Sequence, residues 1–264
     1  MMKYLLLRRI TQISILTLFL ISNLYGLKIL QGNLSSSMIF GTIPLSDPFA
    51  VLQLFLASFT LASSAALGAL IVVLIYALIA PRAFCAWVCP VNIITDFARF
   101  VRVKFGYDKD KKVVVFSKSF RYYILAFVLF MSVVMQTPAF EGVSFIGIIQ
   151  RGIIYGGTLW IFVAFGVFAI DAFVGDRLIC SKLCPLGAFY ATIGKFAFIR
   201  VEHDSQNCTK CMKCKVICPE SQVLGIIGKE SGLITSSECI SCGRCIDVCG
   251  DDALKFSIRN LRRK

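Results

Sequence analysis

The run CTKCMKCKVICP, residues 208–219, sets four cysteines at steps of three, three and four and closes on proline. A second run, ECISCGRCIDVCG at 238–250, repeats the spacing 31 residues further on. Doubled C-x2-C-x2-C-x3-C suits a pair of [4Fe-4S] cubanes. Three closely spaced thiolates wrap one corner of a cubane, and the fourth, on the short helix that follows, reaches the other cluster. The spacing assigns Cys208, Cys211, Cys214 and Cys249 to the first cluster and Cys239, Cys242, Cys245 and Cys218 to the second. Zinc also takes four thiolates but favours two separate C-x2-C knuckles, which successive steps of three do not form.

This is the ligand run of a two-cluster bacterial ferredoxin module, an α+β domain placed here at about residues 199–258 of a tail running from 177 to 264. The second run ends in Gly250 where the pattern usually has proline, and proline is not a ligand. Lys210, Lys213, Lys215 and Arg244 lie inside the runs. Positive charge beside a cluster favours its reduced state, so raised potentials are expected.

Upstream of the tail the composition changes. The 264-residue chain is 57% hydrophobic and only 16% charged, with a mean hydropathy of +0.78, well outside the soluble average. Residues 10–27, 48–81, 122–140 and 152–170 carry no charged side chain, and about 20 apolar residues cross a bilayer as a helix. The expected fold is a membrane all-α domain, residues 1–176, of four transmembrane helices in two repeated hairpins, followed by the ferredoxin-like domain. The basic residues fall before the first span, between the second and third, and after the fourth, with only Lys28 and Arg151 on the other side. By the positive-inside rule both termini are cytoplasmic, in a multi-pass protein of the bacterial inner membrane. The same topology accounts for the net charge of +13 without any nucleic-acid partner. The N-terminal apolar run is long and lacks an A-x-A cleavage signal, so it reads as a retained helix rather than a signal peptide.

Each hairpin returns on the same motif, RAFCAWVCP at 82–90 and RLICSKLCP at 177–185. Residues i and i+4 share a helix face, so Cys85 with Cys89, and Cys180 with Cys184, each aim two thiols one way. An even number of crossings per half puts both pairs at the cytoplasmic membrane edge. There they would hold a third cluster, bind a labile metal or act as redox thiols; the bland alternative is small packing residues. The outer loop at 30–49 reads as a polar, turn-rich connection. The single histidine, His203, lies beyond the last span and reads as a surface residue of the linker; no C-x-x-C-H site occurs, so no haem is expected. No G-x-G-x-x-G or Walker motif is present.

Taken together, LRRITQ near the start, GNLSSSMIFGTIPLSDPF, FCAWVCPVNIITD, ICSKLCPLGAFY and both ferredoxin runs resemble the NapH family over nearly the whole chain. The resemblance implies the membrane quinol dehydrogenase component of a periplasmic nitrate reductase system. Such a component takes electrons from menaquinol or ubiquinol and passes them, through a periplasmic iron–sulfur partner of the NapG type, toward the reductase. Quinol oxidation also needs a proton acceptor. Asp47, Asp96, Glu141 and Asp171 are the acids near span ends, and Asp171, on an apolar run, is the strongest catalytic candidate beside the four C-x3-C-P cysteines. Clusters on the cytoplasmic side and an acceptor on the periplasmic side leave a gap for a partner, or for the C-x3-C-P site, to close. Two other functions suit the same motifs: a membrane metal reductase handling copper at those thiols for oxidase assembly, and a non-enzymatic docking anchor.

Overall fold

The computed structural model describes residues 2–106, 117 and 119–259. Its main elements are α1 (Lys3–Leu24), β1 (Leu30–Gly32), β2 (Ser36–Ile39), β3 (Ile43–Ser46), α2 (Pro48–Ser58), α3 (Ser63–Leu78), α4 (Ala83–Trp87), α5 (Val91–Lys104), α6 (Phe120–Met135), α7 (Phe145–Tyr155), α8 (Leu159–Ala169), α9 (Pro185–Ile193), β4 (Ile199–His203), α10 (Lys213–Ile217), β5 (Gly232–Leu233), α11 (Arg244–Asp247) and β6 (Leu254–Ile258). They divide into two compact units. One gathers Met1–Thr11, Leu74–Val88 and Tyr190–Lys264, and the other Gln12–Val73 and Cys89–Phe189. The lysines at 109, 111, 112, 118 and 264 and the arginines at 262 and 263, which enter the charge argument, lie outside the described residues.

In the helical unit, α2 packs on α6 and α8 packs on both α5 and α7. Its polarity is inverted relative to a water-soluble globule. Phe127, Phe130, Phe162 and Phe165 face outward while Arg102, Arg121 and Ser132 are buried, the arrangement that an apolar solvent favours. Among the described residues one helix, α1, with 22 residues, is long and apolar enough to cross a membrane by itself; the other apolar helices are shorter. The protein is accordingly membrane-associated.

The helix boundaries differ from the sequence expectation in three places. The segment 48–81 forms two helices rather than one. Asp47 caps α2 by accepting from Phe49 N at 3.3 Å, with Pro48 in the first turn, the usual start signal. The helix ends where Phe59 turns left-handed (φ 52°) and Ser58 Oγ donates back to the Leu54 carbonyl at 3.0 Å, a local bond that competes with helix continuation. The segment 152–170 begins in the last turn of α7, breaks at Gly156 and Gly157, both at positive φ, and resumes as α8, which runs on into a π-helical turn at Ile170–Val174. The third departure is the outer loop, which is an antiparallel meander, β1-β2-β3, pairing Gln31 with Met38 and Met38 with Pro44. Asn33 Oδ1 accepts from Ser35 N and Ser36 N, closing the first turn. Gly32 must lack a side chain there, because a Cβ would lie 2.3 Å from the Ser36 carbonyl oxygen.

The other unit is built on the sheet β5-β4-β6. Val201 pairs with Phe256 and His203 with Leu254 across β4 and β6, and His203 pairs with Gly232 on β5. Val201, Leu224, Ile227, Ile234 and Leu254 form its core together with Cys214 and Cys245. Residues 74–88 join at the sheet's edge, where Phe198 N and Ile199 N donate to the Leu78 and Ile79 carbonyls at 2.7 and 2.8 Å. Asp247 accepts from Tyr4 N and Leu5 N at 3.1 and 3.0 Å, an acid at the positive end of α1.

Candidate metal centres

The tail cysteines sit on two loops of one design. In the first, Lys210 and Met212 flank Cys211 with φ of 57° and 59°; in the second, Ser241 and Gly243 flank Cys242 with φ of 50° and 72°. Left-handed residues alternating with cysteines turn successive backbone N–H groups into a concavity, a nest suited to an anionic group. Each loop then enters a short helix, α10 or α11, that carries the third cysteine. Gly243 is a glycine for a second reason: a Cβ there would meet the Tyr4 ring at 2.5 Å.

The loops border separate cavities. The first is lined by Cys208, Cys211, Cys214 and Cys249, and the second by Cys239, Cys242, Cys245 and Cys218. Each cavity thus draws three thiols from one run and one from the other. None of the twelve cysteines is disulfide-bonded. Among the described residues no set of three or more His, Cys, Asp or Glu side chains closes on a single ion; the thiols surround a volume instead of a point. Burial pushes the Cys218 thiol up to about 12 and the Cys239 thiol up to about 11, with Cys242 pushing each the same way. Burial likewise raises Cys214 and, further, Cys245. Thiols held neutral in this way ionise when iron takes them, so the donor set, its spread and the nest all fit a thiolate-bound cluster.

The C-x3-C-P motifs share a backbone plan that differs from the expected one. Arg82 and Arg177 open them in the left-handed region, at φ 48° and 51°, and both are buried. Cys85 lies within α4 and Cys180 within a π-helical turn, Ile179–Leu183. Cys89 and Cys184 lie past the helical residues, and Cys184 is extended at φ −75°, ψ 111°. The two thiols of a pair therefore do not share one α-helical face. The cause is the proline that follows each second cysteine, since a residue before proline is pushed out of the helical region, and a new helix starts just after Pro90 and at Pro185.

Cys85 falls in the ferredoxin unit, and Cys89, Cys180 and Cys184 in the helical unit. Within the ferredoxin unit, Cys85 and Trp87 pack against a buried cluster of Ala86, Ile240 and Cys242. Trp87 Nε1 donates to the Ser241 carbonyl at 3.0 Å, Ser241 Oγ donates to the Pro81 carbonyl at 3.3 Å, and Arg82 Nη1 donates to Glu220 Oε1 and to the Glu238 carbonyl, both at 3.0 Å. The first motif is thereby fastened to the second cysteine loop. Within the helical unit, Arg121 Nη1 donates to the Ser181 carbonyl at 3.1 Å, Arg177 pairs with Asp96, and Gln12 Nε2 donates to the Cys89 carbonyl at 3.2 Å. Asp171 is buried; its Oδ1 accepts from Ile179 N at 3.2 Å, and its Oδ2 has no partner among the described residues. Of the other acids, Asp47 is a helix cap, while Glu141 accepts from Ser35 Oγ at 2.6 Å and pairs with Arg151.

His203 corrects the sequence reading outright. It is 1% exposed and lines the first cavity because β4, central in its sheet, carries it inward. Arg82 and Trp87 were also missed as site residues; the matched Arg-x-x-Cys spacing in both halves was the available signal for Arg82, and Trp87, matched by Lys182, had none.

Comparison with known proteins matches residues 61–108 and 157–201, each containing one C-x3-C-P motif, to a family described as a 4Fe-4S binding domain, and residues 200–250 to a 4Fe-4S dicluster domain. The ferredoxin-type protein NapH of Haemophilus influenzae is 39% identical over 97% of this chain and 90% of its own length, and NapH of Escherichia coli is 35% identical over the same shares. The methylamine utilization ferredoxin-type protein MauN of Methylorubrum extorquens is 40% identical over 96% of this chain and 88% of its own. No solved structure matches the chain.

Proposed function

Because the chain belongs to the NapH family of ferredoxin-type proteins, iron–sulfur electron carriers, we propose that it is a quinol-oxidising component of a membrane electron-transfer complex. We place residues 1–176 in the membrane as four spans, with both termini and the tail in the cytoplasm. Cys208, Cys211, Cys214 and Cys249 would hold one [4Fe-4S] cluster, Cys239, Cys242, Cys245 and Cys218 the other, and the C-x3-C-P thiols a third cluster or a metal. When bound, such clusters supply one-electron redox chemistry. The observation that carries the reading is the fastening of the first C-x3-C-P motif to the second cysteine loop, through the bond from Trp87 to the Ser241 carbonyl and the cluster of Ala86, Ile240 and Cys242 against which Cys85 packs. That fastening supports an electron port between the first motif and the second cluster.

Oxidation of a quinol releases two electrons and two protons. Asp171 suits the acceptance of one of those protons, since a buried carboxylate with an uncommitted oxygen gains a partner when protonated. Arg82, Trp87 and Ser241 hold the first motif against the loop. Downstream, we place a NapG-type iron–sulfur partner and a periplasmic nitrate reductase as the acceptors. A second reading is favoured by the 40% identity to MauN: the same membrane chemistry serving methylamine utilization. The test is steady-state oxidation of a menaquinol analogue by the purified protein in nanodiscs, with ferricyanide as acceptor. Turnover that requires the clusters supports the proposal, and its absence in cluster-loaded protein refutes it. Co-purification with a nitrate- or a methylamine-oxidising partner separates the two readings.

A further inference from the structure

The chain has one histidine, and its ring is fully inside the ferredoxin unit. His203 ends β4 and is paired with Leu254 on one side and Gly232 on the other, which fixes the backbone and leaves the side chain no route to water. Nδ1 lies 2.8 Å from the Glu230 carbonyl oxygen. A carbonyl only accepts, so Nδ1 carries a hydrogen and donates it. Nε2 is sealed from solvent with no protein partner among the described residues. A buried polar nitrogen left bare is costly and calls for a partner that the protein itself does not provide. The same ring lines the cavity bordered by Cys208, Cys211, Cys214 and Cys249. The second cavity has no histidine on its wall.

We infer that His203 Nε2 is a hydrogen-bond donor to a sulfur of the cluster held by Cys208, Cys211, Cys214 and Cys249. The inference rests on that ligand assignment and not on the quinol reading. Cluster and thiolate sulfurs only accept, so the ring holds hydrogens on both nitrogens, one directed to Glu230 and the other to the cluster. Two consequences follow. A donor to sulfur favours the reduced cluster, in which the sulfurs bear more negative charge. It also distinguishes the two centres, whose cysteine spacings are otherwise identical.

The first test needs no variant. The full chain, produced without a histidine tag and with ring-¹⁵N histidine, is reduced anaerobically in detergent and its cluster signals are recorded by pulsed EPR. Because His203 is the only histidine, any ¹⁵N coupling identifies it. Coupling to a reduced cluster is expected. A reduced first cluster with no ¹⁵N coupling overturns the inference, whereas a chain with no such cluster overturns the ligand assignment beneath it. The second test is a redox titration of His203→Gln and His203→Ala. His203→Ala should lower the reduced-to-oxidised ratio of the first cluster roughly tenfold at fixed potential, which is about 59 mV for a one-electron couple. The second cluster should stay at its wild-type position, and His203→Gln, which retains an N–H donor, should recover part of the loss. Equal shifts of both clusters, or none, would contradict a direct bond.

Discussion

Replacing Arg82 by methionine removes the cation that fastens the first C-x3-C-P motif to the second cysteine loop. The Arg82 and Glu220 side chains are 2% and 3% exposed and 3.0 Å apart. An exposed pair is worth about 0–1 kcal/mol, but removal of one member of a buried pair costs about 3–5 kcal/mol because its partner is stranded. Here the lower figure applies. Glu220 keeps a bond from Gln222 Nε2 at 2.8 Å, and the Glu238 side chain is 20% exposed, so each retains some solvation. About 3 kcal/mol corresponds to roughly a hundredfold rise in local opening. Hydrogen exchange in detergent, read by mass spectrometry on peptides covering 83–88 and 238–243, should therefore accelerate by roughly two orders of magnitude in Arg82→Met. Glu220→Gln leaves Arg82 paired with Glu238 and should cost only about 1.5 kcal/mol, the low end for one hydrogen bond to a charged group. Less than a tenfold change in Arg82→Met, or an equal effect of Glu220→Gln, would refute the reasoning.

Three further outcomes are expected. Asp171→Asn should lower quinol turnover in nanodiscs while iron content stays at the wild-type level; unchanged turnover removes Asp171 from the proton path. Gly243→Ala places a Cβ 2.5 Å from the Tyr4 ring at φ 72°, and the left-handed backbone adds about 1–2 kcal/mol, so its thermal midpoint should fall and its second cluster should be lost first. For the metal-free chain, the Cys218 and Cys239 thiols titrate near 12 and 11, above an unfolded value of roughly 8.5. Their neutral form is the one that the fold favours, so stability is intact below about pH 8.5 and declines as pH rises toward 11–12. The cluster-loaded protein, whose thiolates are already ionised, should lack this decline, as thermal scans from pH 8 to 11 will report.

The cysteine runs were legible because their spacing is carried on short, continuous stretches, and each cavity is lined by three thiols of one run and one of the other. The helical character of residues 48–81 was equally plain, but its division was not. Phe59 in a left-handed turn is a choice that local propensity disfavours, since bulky residues seldom take positive φ. The meander at 30–46 was hidden because strands of three and four residues with mixed burial show little alternation. The clasp between Arg82 and Glu220 joins residues 138 apart, and a sequence read by periodicity carries no signal for such a pair. His203 illustrates a different limit: a single histidine in a polar stretch reads as exposed until the strand register places it in the interior.

The proposal's central claim is that electrons from quinol enter at the C-x3-C-P thiols. It is tested most directly by anaerobic stopped-flow mixing of oxidised protein with a soluble menaquinol analogue, following iron–sulfur absorbance in the wild type and in Cys85→Ser/Cys180→Ser. The account predicts fast bleaching in the wild type and its loss in the variant, with iron at the eight tail cysteines retained. Bleaching at the wild-type rate in that variant would contradict it.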